Sequence, residues 1–138
     1  MADAGCYQLL IEIKKDIAVS VGALGVCRFE RGFYVYTGSA MKNLEKRVAR
    51  HRRKEKKLRW HIDYLLAHPA VEVKDVAVHL SEDKEECLYN QKLIAAGATA
   101  PVRGFGSSDC RACEAHLLRF RISDCGLWIS DFGLVFSM

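Results

Sequence analysis

Apolar and polar residues alternate through the first third of the chain, and this alternation predicts short β-strands. The apolar runs cover Tyr7 to Ile13, Ile17 to Val21, Gly25 to Phe29 and Phe33 to Tyr36, with polar or glycine-containing turns between them. Consecutive strands joined by short turns usually pair with one another. The pattern therefore predicts an antiparallel meander in this part of the chain.

The spacing of apolar residues changes after Tyr36. Gly38 interrupts the predicted strand, and a helical spacing begins. Arg47 and His51 are four residues apart, so their side chains converge on one face of the predicted helix. That face begins where the strand carrying Tyr36 ends. If the first strand pairs with this one, the hydroxyl of Tyr7 reaches the same place.

The remainder of the chain alternates between helical and strand patterns. We predict a short helix over Trp60 to Leu66, a strand over Val71 to Leu80, a helix over Lys84 to Ala96, and two closing strands over Leu117 to Ile122 and Leu127 to Phe136. The prediction is one α+β domain spanning residues 1–138. It has a small antiparallel or mixed sheet, an inserted N-terminal hairpin and at least three flanking helices.

Composition narrows the class of protein. The 138 residues are 50% hydrophobic with a formal net charge of +4, as expected for a globular domain with its own core. No apolar run reaches the length of a membrane span, and the first residues lack the pattern of a signal peptide. We therefore expect a cytoplasmic protein that does not bind membranes, and six cysteines that are thiols or metal ligands.

Positive charge is concentrated between Lys42 and Arg59, where the sequence predicts a long basic helix beside the tyrosines. Such a concentration favours binding to a phosphate backbone, whereas a solvated helix end is the alternative. His61 follows this stretch and is more typical of a hydrogen-bonding partner for Asp63 than of a catalytic group. The candidate nucleic-acid-binding residues are Lys46, Arg50, Arg52, Arg53, Lys54, Lys56, Lys57, Arg59 and His61.

The ordered motifs resemble those of the GIY-YIG nuclease superfamily, over roughly Gly5 to Gly97. The matching residues are Gly5-Cys6-Tyr7, Tyr36-Thr37-Gly38, Arg47, His51 and a glutamate on a later helix. The sequences YTGSA, RxxRH, WHIDYLL and FGSSDC also resemble a branch found alone or fused to DNA-repair glycosylases. Ser39 replaces a lysine common in that superfamily, and the segment between the two tyrosines is unusually long.

The resemblance implies a catalytic set of Tyr7, Tyr36, Arg47, His51 and Glu86. In this interpretation Glu86, preferred over Glu85, holds one Mg²⁺ or Mn²⁺ ion. Arg47 contacts the phosphate, and Tyr7 acts as the base, its proton drawn off by His51 or by a metal-bound water. Tyr36 orients the water or the phosphate. The competing interpretation of the two tyrosines is a cross-strand aromatic pair with a purely structural role.

A second candidate metal site contains Cys110, Cys113 and His116. The Cys-x2-Cys spacing is half of a zinc site, but no second pair of that spacing follows. The pattern favours buried thiols and a hydrogen-bonded histidine over a closed zinc site.

The resemblance implies a metal-dependent endonuclease that hydrolyses phosphodiester bonds in nucleic acid, with DNA expected over RNA as the partner, in repair or processing. One alternative is a module of the same fold that binds nucleic acid without cleaving it. Another is a metal-stabilised interaction domain that uses the cysteines.

Overall fold

The computed structural model describes residues 5–40, 42–53, 57–58, 60–80, 94, 98–102, 105 and 115–120. Over these residues the chain has six strands and two α-helices. The strands are β1 (Gly5–Ile13), β2 (Ile17–Ser20), β3 (Val26–Phe29), β4 (Gly32–Ala40), β5 (Val71–Leu80) and β6 (Leu117–Phe120). The helices are α1 (Leu44–Arg52) and α2 (His61–Leu66), and a single 3₁₀ turn spans Gly22–Leu24.

Strands β1 and β4 lie at the centre of a four-stranded sheet with the order β5-β1-β4-β6. All described pairings in it are antiparallel. Every residue of β1 except Glu12 is buried, which is the pattern of a strand covered on both faces. The predicted α+β class and the central position of Tyr7 and Tyr36 are confirmed.

The predicted meander is wrong. Strand β1 pairs with β4 along its whole length. Strands β2 and β3, which lie between them in the sequence, form a separate two-stranded sheet. The inserted hairpin is therefore confirmed, but it does not extend the main sheet. Local alternation located these strands but ended β4 too early, because the predicted break at Gly38 is wrong and the strand runs to Ala40. The choice of partner depends on tertiary packing.

The basic helix is much shorter than predicted. Helix α1 ends at Arg52, and Arg53 has an extended conformation with φ −82° and ψ 136°. Like charges three and four residues apart destabilise a helix, and the run after Arg50 consists largely of Lys and Arg. The chain instead turns towards Trp60, which precedes α2.

The predicted third helix and the last predicted strand lie outside the described residues, apart from Ile94. That residue is helical and 40% exposed. Within the described part of the chain, neither helix has the length and apolar character needed to cross a bilayer.

Candidate functional site

Antiparallel pairing of β1 with β4 brings the two tyrosines together. Tyr7 lies opposite Gly38 and Leu9 lies opposite Tyr36, so the tyrosines are diagonal neighbours on one face of the sheet. Their ring centroids are 6.5 Å apart. Both side chains are at least nine-tenths buried. The juxtaposition predicted from the sequence is therefore present.

Gly38 makes this arrangement possible because Tyr7 lies directly across it. A Cβ atom on Gly38 would come within 2.5 Å of Tyr7 Oη and 2.6 Å of Tyr7 Cζ, well inside van der Waals contact. A glycine inside a strand often marks such a close approach. The tyrosine ring occupies the space that any other residue at position 38 would fill.

Helix α1 adds the imidazole. A hydrogen bond of 2.8 Å joins Tyr7 Oη and His51 Nε2, and the His51 ring lies 6.2 Å from that of Tyr36. His51 is only 1% exposed and shares the buried side of the helix with Leu44, seven residues or about two turns earlier. His51 is thus part of the core-facing stripe as well as a partner of the hydroxyl.

Arg47 lies at the edge of this cluster and is held by two contacts. Its guanidinium donates to the carbonyl oxygen of Ser39 at 2.6 Å, and Cζ lies 4.9 Å from the centre of the Trp60 ring. The Trp60 ring also lies 5.9 Å from His51. The bond to Ser39 uses one of the five N–H donors of the guanidinium. These contacts hold Arg47 against Trp60, one helical turn before His51 on α1.

A buried carboxylate fixes the contact between the two helices. Asp63 is fully buried and accepts two bonds from the guanidinium of Arg50, at 2.8 and 2.9 Å, and a third from the backbone N–H of Trp60 at 2.9 Å. Arg50 also donates to the carbonyl of Lys57 at 2.6 Å, and its Cζ lies 4.5 Å from the Trp60 ring centre. These hydrogen bonds therefore hold the Arg50 guanidinium within the protein.

Between α1 and the segment before α2 lies a basic groove of about 340 Å³. We call it the Trp60 groove. It is lined by Lys42, Asn43, Lys46, Arg47, Arg50, Arg53 and Trp60. Of these, Lys42, Lys46 and Arg53 are exposed to solvent. A second cavity of about 230 Å³ borders His51, Arg52, Leu66, Glu72 and Val73, so the imidazole lies between the buried hydroxyl and a cavity.

Residues 6–128 match the family model described as Domain of unknown function DUF123. The chain belongs to this family. No curated protein and no solved structure matches it. The resemblance to the GIY-YIG nuclease superfamily is corrected by this result, because the matching model is DUF123 and no GIY-YIG or nuclease family model matches. Short motifs of glycine and tyrosine agree by chance more easily than a model of a whole domain does.

Several predicted site residues of this DUF123 domain lie outside the described residues. They are Glu86, Cys110, Cys113, Lys54, Lys56 and Arg59. Among the residues that the structure describes, no three His, Cys, Asp or Glu side chains form a group suited to a metal ion. His116 is 1% exposed. Its backbone N–H donates to the carbonyl oxygen of Phe105 at 2.8 Å, and its carbonyl oxygen accepts from the backbone N–H of Thr37 at 3.0 Å.

The other predicted contacts to nucleic acid differ in character. Lys46, Arg52, Arg53 and Lys57 are exposed, as backbone-binding cations should be. The ring of His61 instead lies 5.6 Å from that of Phe105. Burial lowers the pKa of His61 below its ordinary value of 6.5, so His61 is mainly neutral at pH 7. Its role at the site is that of a packing residue.

Three residues of the site were missed or misread at the level of sequence. Gly38 was interpreted only as a strand break, Trp60 only as an apolar helix position and Asp63 only as a partner of His61. The sequence carried a signal for Asp63. An acidic residue at the third position of a helix often accepts a hydrogen bond from the backbone N–H of the residue just before that helix. No local signal connects Asp63 with Arg50, because that pair depends on how the two helices meet.

Proposed function

We propose that the protein binds nucleic acid along α1 and hydrolyses phosphodiester bonds, with DNA as the preferred substrate. The observation that carries the proposal is the hydrogen bond between Tyr7 and His51, together with Arg47, which lies one helical turn before His51 on α1 and lines a groove rich in positive charge. A hydroxyl paired with an imidazole can transfer protons, and the neighbouring guanidinium suits a phosphate. A basic groove supplies affinity for the backbone without reading sequence.

In this proposal the Tyr7–His51 pair takes up the proton of the attacking water. As the water oxygen forms its bond to phosphorus, its proton moves to Tyr7 Oη and the tyrosine proton moves to His51 Nε2. The bond from phosphorus to the leaving oxygen breaks, and that oxygen takes a proton from the imidazolium or from solvent. Arg47 donates to the non-bridging oxygens, a contact of a kind whose loss costs about 2.7 to 4 kcal/mol in comparable sites.

The proposal includes one divalent ion, Mg²⁺ or Mn²⁺, with Glu86 as its protein ligand. Mg²⁺ keeps several waters and is typically bound through one or two carboxylates, so a single glutamate is compatible with the described residues, which form no larger ligand group. When bound, such an ion polarises the phosphate and stabilises the leaving oxygen. Zinc at Cys110, Cys113 and His116 stays a prediction for elemental analysis.

The second candidate function is a module that binds nucleic acid without cleaving it. The observation that favours it is the burial of the reactive pair, since Tyr7 is 2% and His51 1% exposed. Hydrolysis requires the substrate to reach Tyr7 Oη, so the residues that cover the pair must move when substrate binds. Binding through exposed lysines and arginines requires no such movement.

The deciding experiment measures cleavage and binding separately. Purified protein is incubated with single-stranded, duplex, nicked and branched DNA and with RNA, in Mg²⁺ or Mn²⁺, beside Tyr7→Phe, Arg47→Ala and Glu86→Ala. Arg28→Ala is the matched control, because Arg28 is exposed on β3 of the separate two-stranded sheet and does not line the Trp60 groove. We expect cleavage by the wild type and Arg28→Ala, and at least a hundredfold loss for Arg47→Ala, the range of one transition-state donor.

The outcomes separate the two functions. Wild-type protein that binds every substrate and cleaves none supports the binding module. Binding should also weaken steeply with salt, and each contact removed should lower the slope of log K against log salt by about 0.7 to 0.9. Absence of binding at low salt would exclude both functions.

A further inference from the structure

Trp60 lines the basic groove with an aromatic ring, a feature that binding through charge alone does not need. Its ring borders the Trp60 groove together with cationic side chains from α1. We infer that this groove binds an unpaired nucleotide, with the base stacked on the indole of Trp60 and the adjoining phosphates on the exposed cations. The inference rests on the proposed function for the identity of the ligand as nucleic acid, and it names the substrate class as single-stranded or locally unpaired.

The ring is held in place before any ligand binds. The Arg50 guanidinium lies against it at 4.5 Å and is itself fixed by the buried carboxylate of Asp63 and the carbonyl of Lys57. Arg47, fixed by Ser39, lies 4.9 Å from the same ring centre. The backbone N–H of Trp60 donates to Asp63 as well. Trp60 stays partly exposed to solvent, and a side chain already held by these contacts loses little conformational entropy when a base stacks on it.

The rest of the groove suits the sugar-phosphate backbone. Lys42, Lys46 and Arg53 are exposed and line the same space as the ring. Sites for single-stranded nucleic acid combine a cationic groove with aromatic side chains on which bases stack. Stacking tolerates any base, because every base has a π face, so this site would not read sequence.

Size and position also favour one unpaired nucleotide. The groove volume of about 340 Å³ is at the small end of ligand pockets, which span about 300 to 1,000 Å³. In a duplex the faces of the bases are covered by their neighbours, so a paired strand offers Trp60 no base to stack on. The Trp60 ring lies 5.9 Å from His51, which puts the stacked base next to the nucleotide whose phosphate would be cleaved.

The test compares Trp60→Leu with Trp60→Phe by fluorescence anisotropy in EDTA, so that no cleavage occurs. The ligands are oligothymidylate and a blunt-ended duplex of two annealed complementary strands, which has no unpaired loop, carrying the same label. Loss of one stacked base weakens binding by about 5- to 150-fold. We expect a loss in that range for Trp60→Leu on oligothymidylate, most of the affinity retained in Trp60→Phe, and unchanged binding of both variants to the duplex.

A second readout follows the indole itself. Oligothymidylate should quench the tryptophan fluorescence of the wild type, and the quenching should be lost in Trp60→Phe, which keeps Trp128 as the remaining tryptophan. Thermal melts of both variants establish that they fold. Should Trp60→Leu misfold, the quenching difference between the wild type and Trp60→Phe decides.

The outcomes keep the inference apart from the proposed function. Equal losses of affinity on oligothymidylate and duplex, or quenching that is unchanged in Trp60→Phe, overturn the stacking site and leave nuclease activity standing. Strong single-strand binding with stacking, together with no cleavage when Mg²⁺ or Mn²⁺ is added, keeps the stacking site and supports the binding module. Absence of binding to either ligand overturns both.

Discussion

The Tyr7–His51 pair and the Trp60 groove share helix α1, yet they are built in opposite ways. The pair is fixed by strand register and buried, so its geometry depends on the core. The groove is formed largely by cations around one aromatic ring, three of them exposed, and the buried carboxylate of Asp63 holds it to the core. The difference suggests that substitutions in the pair act through packing and chemistry together, whereas most substitutions in the groove act on binding alone.

The sharpest test of this comparison is Asp63→Ala, because it removes a buried carboxylate through which the groove depends on the core. Removing one partner of a buried ion pair typically costs about 3 to 5 kcal/mol, and here Trp60 also loses its backbone acceptor. We expect the free energy of unfolding to fall by an amount near the lower end of this range, since the Arg50 side chain is 16% exposed. Urea unfolding followed by circular dichroism measures it.

Asp16→Ala is the matched control, because Asp16 also accepts from a backbone N–H, that of Arg31 at 2.8 Å, but lies on the surface. Its expected cost is about 0.5 kcal/mol or less. Equal costs for the two substitutions would show that Asp63 does not anchor the groove.

Gly38→Ala tests the other region and should have the next largest effect. The added methyl group would meet Tyr7 Oη at 2.5 Å, so the ring must move away from its bond with His51. Overpacking of this kind costs about 1 to 3 kcal/mol. We expect reduced stability in urea together with loss of any cleavage, while binding through the Trp60 groove persists.

A double-mutant cycle identifies the cause. In a Tyr7→Ala background the new methyl group has room, so Gly38→Ala should become neutral or stabilising, because alanine restricts the unfolded chain more than glycine does. The same penalty in both backgrounds would mean that the backbone at position 38, and not the ring of Tyr7, requires glycine.

What the sequence could predict follows the range of the interactions involved. Alternation within β1 and β4 set the side of its own strand on which each tyrosine lies, and the four-residue spacing put Arg47 and His51 one turn apart on α1. These features depend on local geometry. The separate hairpin of β2 and β3 depends on which strands pack together, which alternation does not encode.

The end of α1 and its contact with α2 were also beyond local patterns. Lysine and arginine are good helix formers, so the basic run looked helical through Arg59. The observed end at Arg52 lets the chain return Trp60 towards α1, where Arg50 and Asp63 meet across thirteen positions of sequence. This ion pair forms only because the folded chain brings the two helices together, and no local pattern in the sequence connects the two residues.

The smallest expected effect concerns His61, which supports α2 from the side of Phe105. Burial lowers its pKa in the folded protein below 6.5, so under acid conditions the unfolded chain binds a proton more readily than the folded one. Stability should therefore fall as the pH drops through 6.5 towards the folded pKa. Urea midpoints measured from pH 7.5 to pH 5 should show a steeper decline for the wild type than for His61→Gln. Comparing slopes removes the packing change that the substitution itself causes, and identical slopes would contradict a contribution from His61.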